Sequence, residues 1–322
     1  MIISHSAVLQ NIHSPSTPTL VPHRPLPFKT LDLFEYRFEL WRYRISILDI
    51  ERQLWQQLAR FNAHQLHSEN TVSSELGRVV QTLVERRKDI PREFLGAEYP
   101  QPIQLQYTTL ELVPHITASD IHRSLHYLGS PRSSGIHLGL FAAGGDRNAG
   151  RLLSLVTLSS FDLEHLSNSM FPGYRCTEVL VVSRIVTMDG SPRNTGSYAL
   201  GRAFDWVRKN LPEVKCLVTY CNPNLAFSGA LYKATNWVLI GFEHKRRNLY
   251  VDGYYVTDRE IIKRYGTANF LLLRRMIGDR ITRSVTPLKS LEVYAYFLWN
   301  RGSPRKAFAT RDVVPPEDLV GV

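Results

Sequence analysis

The stretch VVSRIVTMDGSPRNTGSYALGRAFDWVRK, residues 181 to 209, constrains the fold more than any other part of the chain. An apolar β-type run, Val181 to Val186, enters a loop holding Gly190, Pro192, Asn194 and Gly196, and the loop opens directly into an amphipathic helix. A backbone that turns sharply from strand into helix leaves unpaired N–H groups at the positive end of the helix dipole, which suits an anion such as pyrophosphate. Gly196 lets a ligand approach the main chain, while Arg193, Asn194, Thr195 and Ser197 supply donors in an Arg-x-x-Gly arrangement. Gly, Asn and Ser also build ordinary turns, and Ser197 is equally placed to cap the helix. Neither a Walker loop nor Gly-x-Gly-x-x-Gly occurs, which argues against nucleoside triphosphate hydrolysis and the Rossmann dinucleotide class.

Around this unit the chain reads as an α/β protein with a helical N-terminal extension. Residues 1 to 29 hold Pro15, Pro18, Pro22, Pro25 and Pro27 and read as an extended arm. Over 30 to 100, Phe34, Phe38, Trp41, Ile45, Leu48, Leu54, Leu58 and Phe61 recur at helical spacing, and Val72, Leu76, Val79, Val80 and Leu83 mark a second helix. This pair predicts a helical hairpin that serves packing, homodimerisation or DNA gripping. From 101 to 300 the rhythm shortens. A strand in IQLQYTTLELV precedes a helix DIHRSLHYL capped at Thr117 or Ser119, then GIHLGLFAA and RLLSLVTLSSF form a hairpin. CLVTY is a strand, NLAFSGALYKATN a helix, and WVLIGFEHK with NLYVDGYYV a final strand pair. Residues 301 to 322 read as a C-terminal tail.

Charge bears on partners. The chain carries 39 Lys+Arg against 29 Asp+Glu, a net of +10, which favours a polyanion. The cluster Lys245, Arg246 and Arg247 sits between two β-type segments, as a solvated hairpin tip or as a grip on DNA phosphates. Cys176, Cys216 and Cys221 form no Cys-x-x-Cys pair and predict no disulfide framework or thiolate zinc site. No secretory signal and no run of about 18 apolar residues occurs, so the expectation is a cytoplasmic protein without a membrane partner.

The element order strand, Arg-x-x-Gly loop, helix, strand and Tyr-bearing helix in ALYKATNW resembles the acyl-CoA-binding half of the GNAT acyltransferase superfamily. More closely, SLHYLG, the 181 to 209 stretch, LVTYCNPNLAFSGALYKATNWVLIG and LEVYAYFL together resemble the phage Mu Mom family of DNA-modification proteins, a divergent GNAT-like branch, over roughly residues 105 to 300. That resemblance implies a GNAT-like mixed central sheet flanked by helices. It also implies conversion of adenine in duplex DNA to an N6-methylcarbamoyl, acetamide-like derivative that blocks restriction enzymes, in a phage, prophage or cellular setting. Acetyl-CoA is the implied acyl-CoA donor, and ferrous iron is associated with the chemistry.

Carried over position by position, the family's His-Tyr pair falls on His126 and Tyr127, its Arg on Arg184, its loop Ser on Ser197 and its helix Tyr on Tyr232. Acyl-CoA falls on Arg193 to Ser197. His126 is the position for iron ligation or proton handling, although no Glu-x-x-His or His-x-His spacing accompanies it. Tyr127 and Tyr232 suit proton donation or stacking on an extruded base, or half-buried packing. Arg184 suits a phosphate or a developing negative charge, or solvation at a strand end. Where the family has Asp in a Tyr-Ala-Asp-Pro stretch, this chain has Asn222 within TYCNP. An amide neither acts as a base nor gives a carboxylate to a metal, so Asn222 orients substrate or marks an altered or lost activity. The alternatives are a GNAT N-acyltransferase acting on a protein or small amine, and a non-catalytic DNA-binding module.

Overall fold

The computed structural model describes residues 33–61, 69–90, 103–132, 134–142, 150–161, 171, 173–225, 227–243, 247–285, 288–299 and 311–313. The Pro-rich arm and most of the C-terminal tail lie outside these, as do Lys245 and Arg246.

The helical periodicity from Leu31 onward is interrupted. Helix α1 (Arg37–Arg42) stops two residues before Arg44, whose φ of 50° is incompatible with continuing a helix. Helix α2 (Ile47–Leu58) then restarts from a capping box: Ser46 Oγ accepts from Asp49 N at 3.2 Å, and the Asp49 carboxylate accepts from Ser46 N at 3.1 Å. Ile50, Leu54 and Leu58 of α2 pack against Val72, Leu76, Val79, Val80 and Leu83 of α3 (Glu69–Arg87). Arg87 closes the pair, donating to Tyr43 O at 3.3 Å and Asp49 Oδ2 at 2.8 Å.

Strand β1 (Thr108–Leu112), helix α4 (His115–Leu125), β2 (Ile136–Ala142) and β3 (Leu152–Ser160) follow, the strands pairing antiparallel in chain order. Helix α4 begins directly after Pro114, earlier than a Thr117 or Ser119 cap predicts. Pro114 presets the chain for helix entry, so neither hydroxyl is needed as a cap. Strand β4 (Val179–Thr187) leads through the Gly-rich loop into α5 (Thr195–Asn210) and β5 (Cys216–Cys221). The helix predicted over NLAFSGALYKATN is reduced to α6 (Ala230–Ala234), because Gly229 takes φ 68° and interrupts it.

The final strand pair also differs from expectation. β6 (Val238–Glu243) joins the main sheet, whereas β7 (Leu249–Val251) and β8 (Tyr254–Val256) pair with each other. Asp252 at φ 52° and Gly253 at φ 81° make the two-residue turn whose twist matches a hairpin, so the Asp-Gly dipeptide decides the pairing. Helices α7 (Asp258–Tyr265) and α8 (Phe270–Ile277) and strand β9 (Ile281–Arg283) complete this insert around Leu249, Val251, Ile261, Leu273 and Ile281. The insert docks on the N-terminal hairpin through Tyr250 Oη to Gln56 O at 2.6 Å and Arg60 Nη1 to Gly253 O at 2.7 Å. Then β10 (Leu291–Phe297) and β11 (Arg311–Val313) return to the main sheet, whose order is β1-β2-β3-β4-β5-β10-β6-β11.

This is the mixed central sheet flanked by helices that the resemblance implies. Helix α5 covers one face through Ala199, Leu200, Ala203, Phe204 and Val207, and α4 covers the other through Ala118 and Ile121. Each fully buried aliphatic side chain contributes about 1.5–3 kcal/mol, so these two seams fix the layers.

Candidate active site

Two irregularities in β4 create the site. The first is a bulge. Leu158 opposes Val182 while Thr157 opposes Arg184, leaving Ser183 as an extra residue. Strand alternation has a period of two, so one extra residue exchanges the faces. Leu180 and Val182 accordingly pack on the α5 side, whereas Val186 packs on the α4 side and Arg184 is turned the same way. The second is a split. β4 and β5 run parallel and pair only at Val179–Cys216, Leu180–Leu217 and Val181–Val218. Beyond that the strands diverge, and Thr219 marks the fork, with Oγ1 3.0 Å from Val182 O and 3.3 Å from Tyr232 Oη.

A cavity of roughly 530 Å³ opens in this fork. It brings together His126, Tyr127, Arg184, Asn222 and Tyr232, five of the six positions assigned to catalysis by resemblance. Ser197 is not among its lining; its hydroxyl donates to Asn194 O at 2.9 Å in the first turn of α5. The cap of α5 is Asn194 in the left-handed region, one of the few residue types that tolerates it. Thr195 N and Oγ1 are both spent on Pro192 O, at 3.2 and 2.6 Å. The Gly196 and Ser197 amides have no backbone partner among the described residues, and these are the donors available to an anion. A Cβ on Gly196 would meet Thr187 Oγ1 at 3.2 Å and Leu231 Cδ1 at 3.4 Å, so the loop closes tightly onto β4 and α6 there.

Several lining residues come from the N-terminal extension, which sequence reasoning did not connect with the site. Ser46, Leu48, Asp49 and Arg52 of the α2 segment form one wall with Arg87 of α3. Gln53 Nε2 donates to Tyr127 O at 2.5 Å, and the Arg52 guanidinium lies 4.6 Å over the Phe227 ring, itself 5.1 Å from Tyr127. The one sequence signal for these contacts was the run of arginines interleaved with the apolar stripe of the first helix.

Burial and guanidinium charge set the protonation states. Burial lowers Arg184 to about 10 and raises Tyr127 to about 12, and the two attract each other. Burial also raises the Tyr232 phenol, with the Thr219 hydroxyl acting against it. Burial, then Arg184, His122 and Arg52, push His126 well below the ordinary histidine value. Arg184 is held by Ser183 O at 2.6 Å and Ser130 O at 3.4 Å. Asn222 Oδ1 accepts from Asn224 N at 3.1 Å and Nδ2 at 2.9 Å, so its carbonyl caps a turn. Arg247 Nη1 donates to Ser284 O at 2.7 Å and also to Val285 O, tying the ends of the insert together.

The ferrous iron expected at His126 does not fit these residues. Nδ1 of His126 accepts from Leu128 N at 3.2 Å, so the neutral ring carries its proton on Nε2. A metal-bound histidine shows the opposite pattern, donating from its second nitrogen. Both neighbouring guanidiniums repel a cation, and no group of three or more His, Cys, Asp or Glu able to hold a metal occurs among the described residues. No helix among those residues is long and apolar enough to cross a membrane.

A mixed sheet split between two parallel strands, with a helix N-terminus beside the fork and a tyrosine in the next helix, is the GNAT-like class of architecture. Within it the chain belongs to the Mom protein family, whose model matches residues 107–312. Similar solved structures include an N-acetyltransferase from Staphylococcus aureus Mu50, with 11% identity, 60% of this chain and 99% of that chain covered, and a TM-score of 0.33. A ribosomal-protein-S18-alanine N-acetyltransferase from Escherichia coli gives 12%, 61%, 97% and 0.34, and a spermidine/spermine N-acetyltransferase from Vibrio cholerae gives 10%, 60%, 94% and 0.34. Among curated proteins none matches the chain.

Proposed function

We propose that this protein transfers the acyl group of acetyl-CoA to the exocyclic amine of adenine in duplex DNA, the N6–C bond forming as the thioester C–S bond breaks and the CoA thiol leaves, and so protects DNA from restriction in a bacterial or phage-infected cytoplasm. The observation that carries the reading is the parting of β4 from β5 after Val181, with Tyr127, Arg184 and Tyr232 lining the cavity so formed. Its volume falls within the about 300–1,000 Å³ range of ligand sites. Bound acyl-CoA supplies an activated acyl carbon. The Gly196 and Ser197 amides with Arg193 hold its pyrophosphate at the positive end of α5. Tyr232, kept protonated by burial, holds a proton at Oη for the leaving thiolate.

The adenine amine is paired inside the stack, so the base must be extruded to reach the cavity. Tyr127 and Phe227 offer ring faces for it, Arg52 closes over Phe227, and Arg184 faces the charge that develops during transfer. Asn222, with its carbonyl committed to a turn, orients substrate through its amide N–H groups. Lys245, Arg246 and the basic surface grip phosphates, and self-association through the N-terminal helices draws on Phe38 and Trp41, exposed on α1. Mass spectrometry of nucleosides from cells expressing the chain tests this. A modified adenine that disappears with Arg184→Ala and with Tyr232→Phe is expected. Unmodified DNA together with acylation of a protein or small amine indicates an ordinary N-acyltransferase, and duplex binding without acyl-CoA binding indicates a non-catalytic module.

A further inference from the structure

A line of polar groups crosses the otherwise apolar layer between α4 and the sheet. His115, Ser119, His122 and His126 are spaced by four, three and four residues and share one side of the α4 segment. Beneath them His137 of β2, Thr157 of β3 and Arg184 of β4 are cross-strand neighbours, the last by virtue of the Ser183 bulge. The links are short. Ser119 Oγ lies 3.3 Å from His115 Nε2, His115 Nδ1 lies 3.0 Å from His137 Nε2, His137 Nδ1 lies 3.0 Å from Thr157 Oγ1, and Thr157 Oγ1 lies 3.0 Å from His122 Nε2. His115 is exposed, whereas His137, Thr157 and His122 are buried.

Leucine and valine would fill this layer without the cost of burying polar atoms. What unites the three histidines and Thr157 is that each can accept one proton while releasing another: a neutral imidazole at its two nitrogens, a hydroxyl at its single oxygen. Burial, followed by Arg184, His137 and His115, lowers His122 to about 3, and burial with His115 lowers His137, so the rings stay neutral. Neutral rings relay by exchanging tautomers. At the inner end, His122 Nδ1 has no protein partner among the described residues, and its ring stands edge-on at 81° to that of His126 with centroids 6.4 Å apart.

We infer that His115, His137, Thr157 and His122 form a proton-conducting chain between bulk solvent and the cavity wall at His126 and Arg184. The role rests on reading the cavity as a group-transfer site, where the amine loses a proton at nitrogen and the leaving thiolate gains one at sulfur, none being released overall. The chain carries the amine's proton to solvent, and Tyr232, having protonated the thiolate, takes a proton back once the thiol departs. One proton enters at one end and another leaves at the other. Only N–H and O–H bonds break and form, and the tautomers then reset.

Exchange of the His122 ring N–H with water, followed by NMR on protein labelled with 15N-histidine, tests the chain directly. Thr157→Val, which keeps shape but removes the hydroxyl, should slow this exchange at least about tenfold, and Thr157→Ser should restore it, a smaller effect than loss of a direct acid or base. If Thr157→Val is unstable, His137→Gln keeps hydrogen bonding at both ends and cannot relay, so it is read in the same way. Unchanged exchange in either folded variant overturns the chain and leaves a structural polar seam. Where DNA modification is detected, kcat should fall in the same variants while KM holds. Absence of modification in the wild type would count against the function, while the exchange ratio still decides the chain.

Discussion

Gly229→Ala is the sharpest test of how the cavity is shaped. Gly229 sits at φ 68° and ψ 8°, immediately before α6, and carries Tyr232 three residues on. An alanine in the left-handed region costs about 1–2 kcal/mol. Its Cβ would also overlap the Tyr294 phenol, with Cζ at 2.9 Å and the hydroxyl nearer still. Tyr294 cannot yield easily, because it is buried, donates to Glu292 Oε2 at 2.7 Å and lies 5.4 Å from Tyr232. Relieving such overpacking costs about 1–3 kcal/mol more. The expected destabilisation is thus about 2–5 kcal/mol, read as a lowered urea midpoint at constant slope. Because Tyr294 backs Tyr232, the surviving folded protein should lose about 10²-fold in adenine modification. In a double-mutant cycle with Tyr294→Phe, which removes the closest atom, the two effects should fall short of additivity by about 0.5–3 kcal/mol. A loss under about 0.5 kcal/mol, or strict additivity, refutes the contact as the reason for glycine here.

Tyr232→Phe should leave acyl-CoA affinity within twofold by calorimetry while lowering turnover about 10²–10⁴-fold, the range for a positioned proton donor. Arg52→Ala removes the cation above Phe227; binding of a DNA duplex carrying an unpaired adenine should weaken by about 0.5–2 kcal/mol in a fluorescence titration, with little change in folding stability. The Glu178 carboxyl is held down to about 2, first by Lys215 and then by the Arg175 backbone N–H. The unfolded chain therefore takes up the extra proton first, so stability present above pH 4.5 is lost as the pH falls towards 2, and Glu178→Gln should flatten that limb of a pH series of urea midpoints.

The strand, loop and helix from 181 to 209 were legible because their signals are local: an apolar run, turn residues and a 3.6-residue period. The hairpin of β2 and β3 was legible for the same reason. The Asp252-Gly253 turn was also written in the chain, but the pairing of flanking apolar runs was read across residues 244–247 instead. Other features are long-range and leave little trace. A bulge at Ser183 looks like any other step in an apolar strand, yet it decides which face Arg184 occupies. Gly229 reads as a tolerated helix residue until the Tyr294 ring is placed beside it. Gln53 meets Tyr127 across 74 residues, a contact that no periodicity announces.

That last contact changes what the N-terminal helices are for. The family match covers residues 107–312, and every position assigned by resemblance lies inside it. Yet the cavity wall facing Phe227 and Tyr127 is built from residues 46 to 52 and Arg87, outside the match. Removing α1 to α3 would strip Gln53 from the Tyr127 carbonyl, Arg52 from the Phe227 ring and Asp49 from the rim, exposing an aromatic floor to water. It would also undercut the insert, whose Tyr250 hydroxyl ends on Gln56 and whose Gly253 carbonyl ends on Arg60. A binding surface on an otherwise self-sufficient domain would not be wired into the floor of the cavity and into a second subdomain at once. The extension therefore forms part of the cavity wall, through residues that the matched segment alone does not contain.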